Sequence, residues 1–230
     1  MTDRDELKRA AAVSAIDAEV RSGMLLGLGT GSTAAFLLDG LAERLSDGRL
    51  GDISGVPTSQ VTADRCRELG IPLADLADRP LLDVAIDGAD EVAPGLDLIK
   101  GLGGAQLREK VIACSAARFV VVCDDRKLVE RLGQGAPLPV EVIAFALPLC
   151  QRLLERDGWS WSLRLGSDGR PFVTDEGNRI LDCRRDDWSD PNGLAERVAA
   201  VPGVVAHGFF LGIAVSAHVA GADGVSVLTA

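Results

Sequence analysis

The sequence predicts an α/β fold: a parallel sheet covered by helices on both faces, with a smaller α+β unit inserted late in the chain. Three observations predict it. Short continuous apolar runs, Met24–Leu28, Asp83–Ile86 and Phe119–Cys123, alternate with stretches whose apolar residues recur at helical spacing. Strands that are apolar throughout are buried on both faces, as in parallel sheets. After Gly133 the texture changes to shorter alternating segments set off by Pro137 and Pro139, and from Gly208 to Leu228 apolar, strand-like runs return. The tail is therefore expected to rejoin the first sheet, which makes the intervening stretch an insertion.

Each element follows from its own pattern. Asp3–Val20 places Leu7, Ala11, Val13, Ile16 and Val20 at helical spacing. Met24–Leu28 reads as a buried strand, and Ser32–Leu45 carries Ala34, Leu37, Leu38, Leu41 and Leu45 on one helical stripe. Ile53–Val56 is a strand, and Thr58–Leu69 is a helix closed by Gly70 and Pro72. Ala105–Ala117 is helical and leads into the Phe119–Cys123 strand. In the insertion, Val140–Ile143 is a strand and Leu147–Arg156 a helix. Trp159–Leu165, Pro171–Thr174 and Arg179–Cys183 alternate like antiparallel strands around a Ser167-Asp168-Gly169 turn. Pro191–Ala200 is a further helix, ended by Pro202-Gly203. The expected domains are 1–133 with 207–230, and 134–206.

Composition removes several classes of function. A formal charge of -10 argues against nucleic acid or an anionic membrane surface as the main partner. Five cysteines without a C-x-x-C pair leave zinc and redox motifs unsupported, so no metal is expected. Two histidines, His207 and His218, cannot make an H-E-x-x-H site or a three-histidine centre, and structural roles are expected for both. Trp159, Trp161 and Trp188 have no stacking pattern and are assigned to core packing. No apolar run reaches the roughly 18 residues of a membrane span, and the start MTDRDELKRA is polar, so a soluble, cytoplasmic protein is expected. Only four of the 24 cations are lysines: Lys8, Lys100, Lys110 and Lys127.

Three segments carry candidate chemistry. Gly27-Leu28-Gly29-Thr30-Gly31-Ser32-Thr33 joins a strand to a helix, where glycines let backbone approach an anion and hydroxyls donate to it. The spacing is neither G-x-G-x-x-G nor a Walker loop, which favours a small phosphate over a nucleotide. The alternative is an ordinary turn capped by Ser32. Asp87-Gly88-Ala89-Asp90-Glu91 lies past a strand's carboxyl end, where ligands gather in open parallel sheets. Its carboxylates suit sugar hydroxyls, pKa tuning or a divalent cation, or are simply solvated acids of a turn. Lys100-Gly101-Leu102-Gly103-Gly104 precedes a helix that carries Glu109 within its first turns. A buried Glu109 near Lys100 has the makings of a base; otherwise Arg108 and Glu109 are surface charges. Lys127 follows a strand's carboxyl end and on its own reads as solvated.

Taken in order and spacing, Gly29-Thr30-Gly31-Ser32-Thr33, Asp87-Gly88-Ala89-Asp90-Glu91, Lys100-Gly101-x-Gly103-Gly104-Ala105, Arg108-Glu109-Lys110 and Leu138-Pro139-Val140-Glu141-Val142 resemble ribose-5-phosphate isomerase type A. The resemblance runs from Asp5-Glu6-Leu7-Lys8 to Pro202-Gly203-Val204-Val205. It implies a Rossmann-like domain with a smaller inserted α+β domain, and a cofactor-free interconversion of D-ribose 5-phosphate and D-ribulose 5-phosphate in the pentose phosphate pathway. It further implies Glu109 as general base through a cis-enediolate, with Asp87 and Lys100 assisting ring opening and proton movement. Asp90 would orient hydroxyls. Thr30, Gly31, Ser32 and Thr33, aided by Lys8, would hold the substrate, with Gly88, Ala89, Gly101, Leu102, Gly103 and Lys127 also in contact. Dimers or tetramers are common in the family. The sequence departs from its pattern at Leu102, where many relatives have glycine, at Ala144, and around Phe209–Gly212.

Two rival readings fit less well. An aminosugar-phosphate deaminase wants a histidine near the pocket, and the first histidine is His207; a CoA-transferase suits neither the length nor the phosphate-scale loop. A sugar-phosphate sensor of a transcription regulator would need an attached DNA-binding module, and this acidic chain opens directly on the first helix.

Overall fold

The structure, a computed structural model, describes residues 3–230. Met1 and Thr2, the first residues of the polar start, lie outside the described residues. Along the chain run α1 (Asp3–Glu19), β1 (Leu25–Leu28), α2 (Ser32–Ser46), β2 (Ser54–Pro57), α3 (Gln60–Leu69), β3 (Val84–Asp87), β4 (Glu91–Val92), β5 (Leu98–Ile99), α4 (Gln106–Ser115) and β6 (Phe119–Asp124). They continue with β7 (Leu138–Val142), α5 (Leu147–Arg156), β8 (Ser160–Leu163), β9 (Arg179–Arg184), α6 (Pro191–Ala199), β10 (Val204–His207), β11 (Phe209–Phe210), β12 (Ala214–Gly221) and β13 (Gly224–Thr229). Among the described residues, no helix is long and apolar enough to cross a membrane.

The chain forms two compact units. The first comprises residues up to Ala89, Arg108–Leu128 and Gly212–Ala230. Its six-stranded sheet has the order β13-β12-β6-β3-β1-β2 and is parallel except for the edge pair of β12 with β13. The tail thus rejoins the first sheet, and β13 makes the sheet mixed. Side chains alternate across it. Leu26, Leu28, Val84, Ile86, Val120 and Val122 pack with Ala11, Ala12, Ile16, Leu37 and Leu41 of α1 and α2. Gly27 faces the other way, where Ile112 of α4 sits so close that a Cβ on the glycine would lie 2.5 Å from its Cγ2.

The second unit comprises Asp90–Leu107 and Val129–Leu211. It holds a four-stranded antiparallel sheet, β10-β7-β9-β8, and a three-stranded one, β11-β5-β4. Its core includes Leu138, Val140, Val142, Leu154, Leu181, Leu194 and Val198. Trp159, Trp188 and Phe209 stack edge to face within it, with centroids 5.4 and 5.9 Å apart.

This division differs from the expected 1–133 with 207–230 against 134–206. Residues 90–107, 129–133 and 207–211 go with the second unit. The reason is a buried carboxylate and a small sheet. Glu91 accepts backbone N–H bonds from Gly133, Gly135 and Ala136 at 2.6, 2.5 and 2.6 Å. β5 pairs with both β4 and β11, and the Val129 N–H bonds to the Val92 carbonyl at 3.0 Å. The expected strand Pro171–Thr174 is also absent: Pro171 has an isolated bridge to Leu165, and by Thr174 the chain has entered a turn, with the Thr174 N–H bonding to the Asn178 carbonyl and the Gly177 N–H to the Thr174 carbonyl.

Candidate active site

In the first unit, β1 and β3 are parallel neighbours, but the chain leaves β1 through α2 to β2 on one side and places β3 on the other. That reversal is a topological switch point, and the crevice beyond the carboxyl ends of such strands is where ligands bind in open α/β sheets. The Gly29–Thr33 loop emerges there from β1 and Asp87 ends β3. The two meet directly: the Thr30 N–H donates to Asp87 Oδ1 at 3.0 Å, and the same oxygen accepts from the Gly88 N–H at 2.7 Å. Asp87 is buried.

The loop then starts α2. Its N-cap is Gly31, at φ 106° and without a side-chain cap, rather than Ser32 as a simple capped turn would have it. A first turn whose N–H groups lack a capping side chain suits an anion. A hydroxyl chain outside the sequence motifs holds the loop from below. Thr30 Oγ1 donates to Ser59 Oγ at 2.8 Å, Ser59 to Thr62 Oγ1 at 3.0 Å, and Thr62 to the Gly29 carbonyl at 3.0 Å. Thr58 Oγ1 lies 2.7 Å from Thr30 Oγ1 and donates to the Leu28 carbonyl at 3.1 Å. Ending the chain on backbone carbonyls gives each of these hydroxyls an acceptor. The signal was Thr58-Ser59-x-x-Thr62 directly after a strand, but Ser59 is the N-cap of α3 and hid the cluster inside an expected helix start.

Other expected site residues of this unit lie on separate elements. Glu109 is buried in the first turn of α4, and Lys110 beside it is held down to about 8 by burial. Lys8 is buried on α1 with Asp5 3.9 Å away. Lys127 sits in the short helical turn after β6.

The second unit holds the other expected site residues. Lys100 is 2% exposed, its N–H bonds to the Gly208 carbonyl at 2.9 Å, and its ammonium lies 5.5 Å from the centre of the Phe210 ring. Gly101 to Gly104 form a turn closed by Gly104 N–H to Gly101 carbonyl at 2.9 Å, with φ of 105° at Gly101 and 81° at Gly104. Asp90 Oδ2 accepts the Leu102 N–H at 2.9 Å. Within the Asp87–Glu91 segment, Asp87 accepts from the β1 loop, Asp90 from the Gly101 turn and Glu91 from the 133–136 backbone. Among the described residues, no three His, Cys, Asp or Glu side chains are grouped to hold a metal ion.

Comparison with known proteins gives the family. Residues 54–224 match the family model of ribose 5-phosphate isomerase A (phosphoriboisomerase A). A ribose-5-phosphate isomerase A of Roseiflexus sp. (strain RS-1) is 59% identical over 226 residues, covering 98% of this chain and 97% of that one. A probable chloroplastic ribose-5-phosphate isomerase 3 of Arabidopsis thaliana is 48% identical over 98% of this chain and 84% of its own. A solved D-ribose-5-phosphate isomerase in complex with phospho-erythronic acid superposes with a TM-score of 0.96 at 39% identity, with both chains fully covered. The isomerase of Methanocaldococcus jannaschii gives 0.93 at 38%, over 98% of this chain and 99% of its own. The fold and these relatives define an α/β isomerase of sugar phosphates. The chain belongs to the ribose 5-phosphate isomerase A family.

Proposed function

We propose that this chain interconverts D-ribose 5-phosphate and D-ribulose 5-phosphate by moving one proton between C2 and C1, with Glu109 as the base. The Glu109 carboxylate takes the C2 proton of the open-chain aldose, the electrons pass to the C1 carbonyl oxygen, and a cis-enediolate forms. Return of the proton to C1, with proton exchange between the two oxygens, completes the ketose. Such a step needs a positioned base and stabilisation of the developing oxyanion. Lys100 and backbone N–H groups of the 101–104 turn are assigned to the oxyanion. Asp87 is assigned to ring opening with Lys100, and Asp90 to the hydroxyls. The phosphate goes to Thr30, Gly31, Ser32 and Thr33 at the α2 N-terminus with Lys8, and Gly88, Ala89, Gly101, Leu102, Gly103 and Lys127 complete the contacts. The reading carries with it a cytoplasmic homo-oligomer of two or four copies, testable by light scattering on the eluted protein.

The observation that carries this reading is the direct bond from the Thr30 N–H to Asp87 at the switch point of a chain 59% identical to a named isomerase of the family. Phospho-erythronic acid, bound by a relative, presents a planar anionic carboxylate in place of the enediolate oxygens and is the expected competitive inhibitor. Incubation with ribose 5-phosphate in D2O, followed by NMR, is expected to put deuterium at C1 of the ketose as it forms and at C2 of the aldose as the reaction reverses. Glu109→Gln is expected to lose about 10²–10⁴-fold in kcat with the fold intact. A Glu109→Gln enzyme with near-normal turnover, or release of ammonia from an aminosugar phosphate, would overturn the assignment.

A further inference from the structure

The 101–104 turn has no helix or strand of its own to hold it, yet it carries backbone N–H groups assigned to the oxyanion. Its support comes from β8 and β9. Arg164 directly follows β8, and its N–H continues the ladder by bonding to the Ile180 carbonyl at 2.9 Å. Ser162 faces Asp182 across that ladder, so Asp182 is the diagonal neighbour of Arg164 on the same face. The guanidinium grips Asp182 with two nitrogens, Nε to Oδ2 at 3.0 Å and Nη2 to Oδ1. Both side chains are largely buried, and this side-on fork fixes the guanidinium plane.

The remaining nitrogen reaches the turn. Arg164 Nη1 donates to the Gly101 carbonyl at 2.7 Å and to the Leu102 carbonyl at 3.0 Å. In a trans peptide the carbonyl and the N–H point in opposite directions. Pulling two successive carbonyls toward one cation therefore turns the N–H groups of Leu102 and Gly103 away from it. The Leu102 N–H, so directed, meets Asp90. A second wall closes the turn from behind: Gly101 lies so close to Gln106 that a Cβ there would be 2.8 Å from the Gln106 Cβ. Gln106 in turn donates to the buried Glu141 carboxylate at 3.1 Å.

We propose that Arg164, locked by Asp182, is a positioning residue for the 101–104 turn, aiming the Gly103 N–H at the enediolate and the Leu102 N–H at Asp90. This rests on the isomerase reading above. Arg164→Ala, Arg164→Lys and Asp182→Asn test it, each checked for thermal unfolding. Arg164→Ala is expected to lower kcat by about 10²-fold, the scale of a misplaced catalytic group, with KM little changed. Affinity for phospho-erythronic acid falls in step with kcat, whereas affinity for inorganic phosphate stays at the wild-type value. Added guanidinium ion restores part of the lost kcat in Arg164→Ala. Arg164→Lys loses kcat to a similar extent, because an ammonium cannot span the carboxylate fork and both carbonyls. If Arg164→Ala does not fold, Arg164→Lys and Asp182→Asn decide by the same split between kcat and KM.

Wild-type kcat in folded variants overturns the proposal, as does a loss that merely follows the unfolded fraction and resists guanidinium. An inactive wild type, or an active Glu109→Gln, would instead strike at the isomerase reading itself.

Discussion

A Cβ on Gly29 would lie 2.1 Å from Asp87 Oδ1 and 2.6 Å from Asp87 Cα. The second distance matters more, because a side-chain oxygen can swing aside and a backbone atom in a buried strand cannot. Gly29 is thus required by close approach, and the approach is what lets the Thr30 N–H reach Asp87. Gly29→Ala is expected to cost about 1–3 kcal/mol, the range for overpacking, and to lower turnover by about 10²-fold through displacement of Asp87. Denaturant unfolding and steady-state kinetics check both halves; an alanine variant with unaltered kcat would separate Asp87's placement from the chemistry. Read in sequence, Gly29 and Asp87 were two motifs of independent standing. Nothing in either said that they touch, since that contact depends on β1 and β3 pairing in register, Leu28 opposite Ile86.

The elements that were legible are those whose pattern is local. Met24–Leu28, Asp83–Ile86 and Phe119–Cys123 became β1, β3 and β6 within a residue or two, and the α2, α5 and α6 stripes were found for the same reason. The pairs β4, β5 and β11 have two residues each, too short for any period, and exist only because they pair with one another. Their pairing moved residues 90–107 and 207–211 to the second unit. Arg164 and Glu141 do not show as supports in the sequence because their partners lie 18 to 63 positions away in the chain. The sequence pattern starts α3 at Thr58, whereas helix begins at Gln60 with Ser59 as cap, its Oγ accepting from the Thr62 N–H at 3.1 Å. Those two residues of difference concealed the hydroxyl chain under the Gly29–Thr33 loop. Ser59→Ala removes the cap and breaks that chain at once. The expected loss is about 1 kcal/mol for the cap, with a further rise in KM for the sugar phosphate as Thr30 is freed. A variant with the stability loss and an unchanged KM would leave Ser59 as a helix cap and nothing more.

At the scale of the whole molecule, a chain of net charge -10 that binds an anion must keep its positive potential local. Of its four lysines, Lys8 and Lys100 are buried, and Lys110 is partly so. Lys110, pulled down to about 8 from 10.5, sets a stability term with a definite sign. Below pH 8 the ammonium is charged in both states, so its burial cost is fully present. Between about 8 and 10.5 the folded state has released a proton that the unfolded state retains, so stability rises with pH. Lys110→Met is expected to be more stable than wild type at pH 7, and the gap should narrow above pH 8; a constant gap would remove the titration from Lys110. His218, lowered by burial, works at the acid side, where stability falls as pH drops below about 6.5. The cysteines report on the same interior. Cys66 and Cys123 are buried and pushed up to about 11 and about 12, Cys150 and Cys183 are buried and also raised, and Cys114 is exposed. A protonated, inaccessible thiol does not attack a disulfide reagent. The native protein is therefore expected to release one equivalent of thionitrobenzoate per chain, from Cys114, and five in denaturant. Cys114→Ser should then be silent until it unfolds, and the rate at which its four remaining thiols react measures the opening of the two cores. Rapid native labelling of a second thiol would mean that one of these cores opens far more readily than its packing allows.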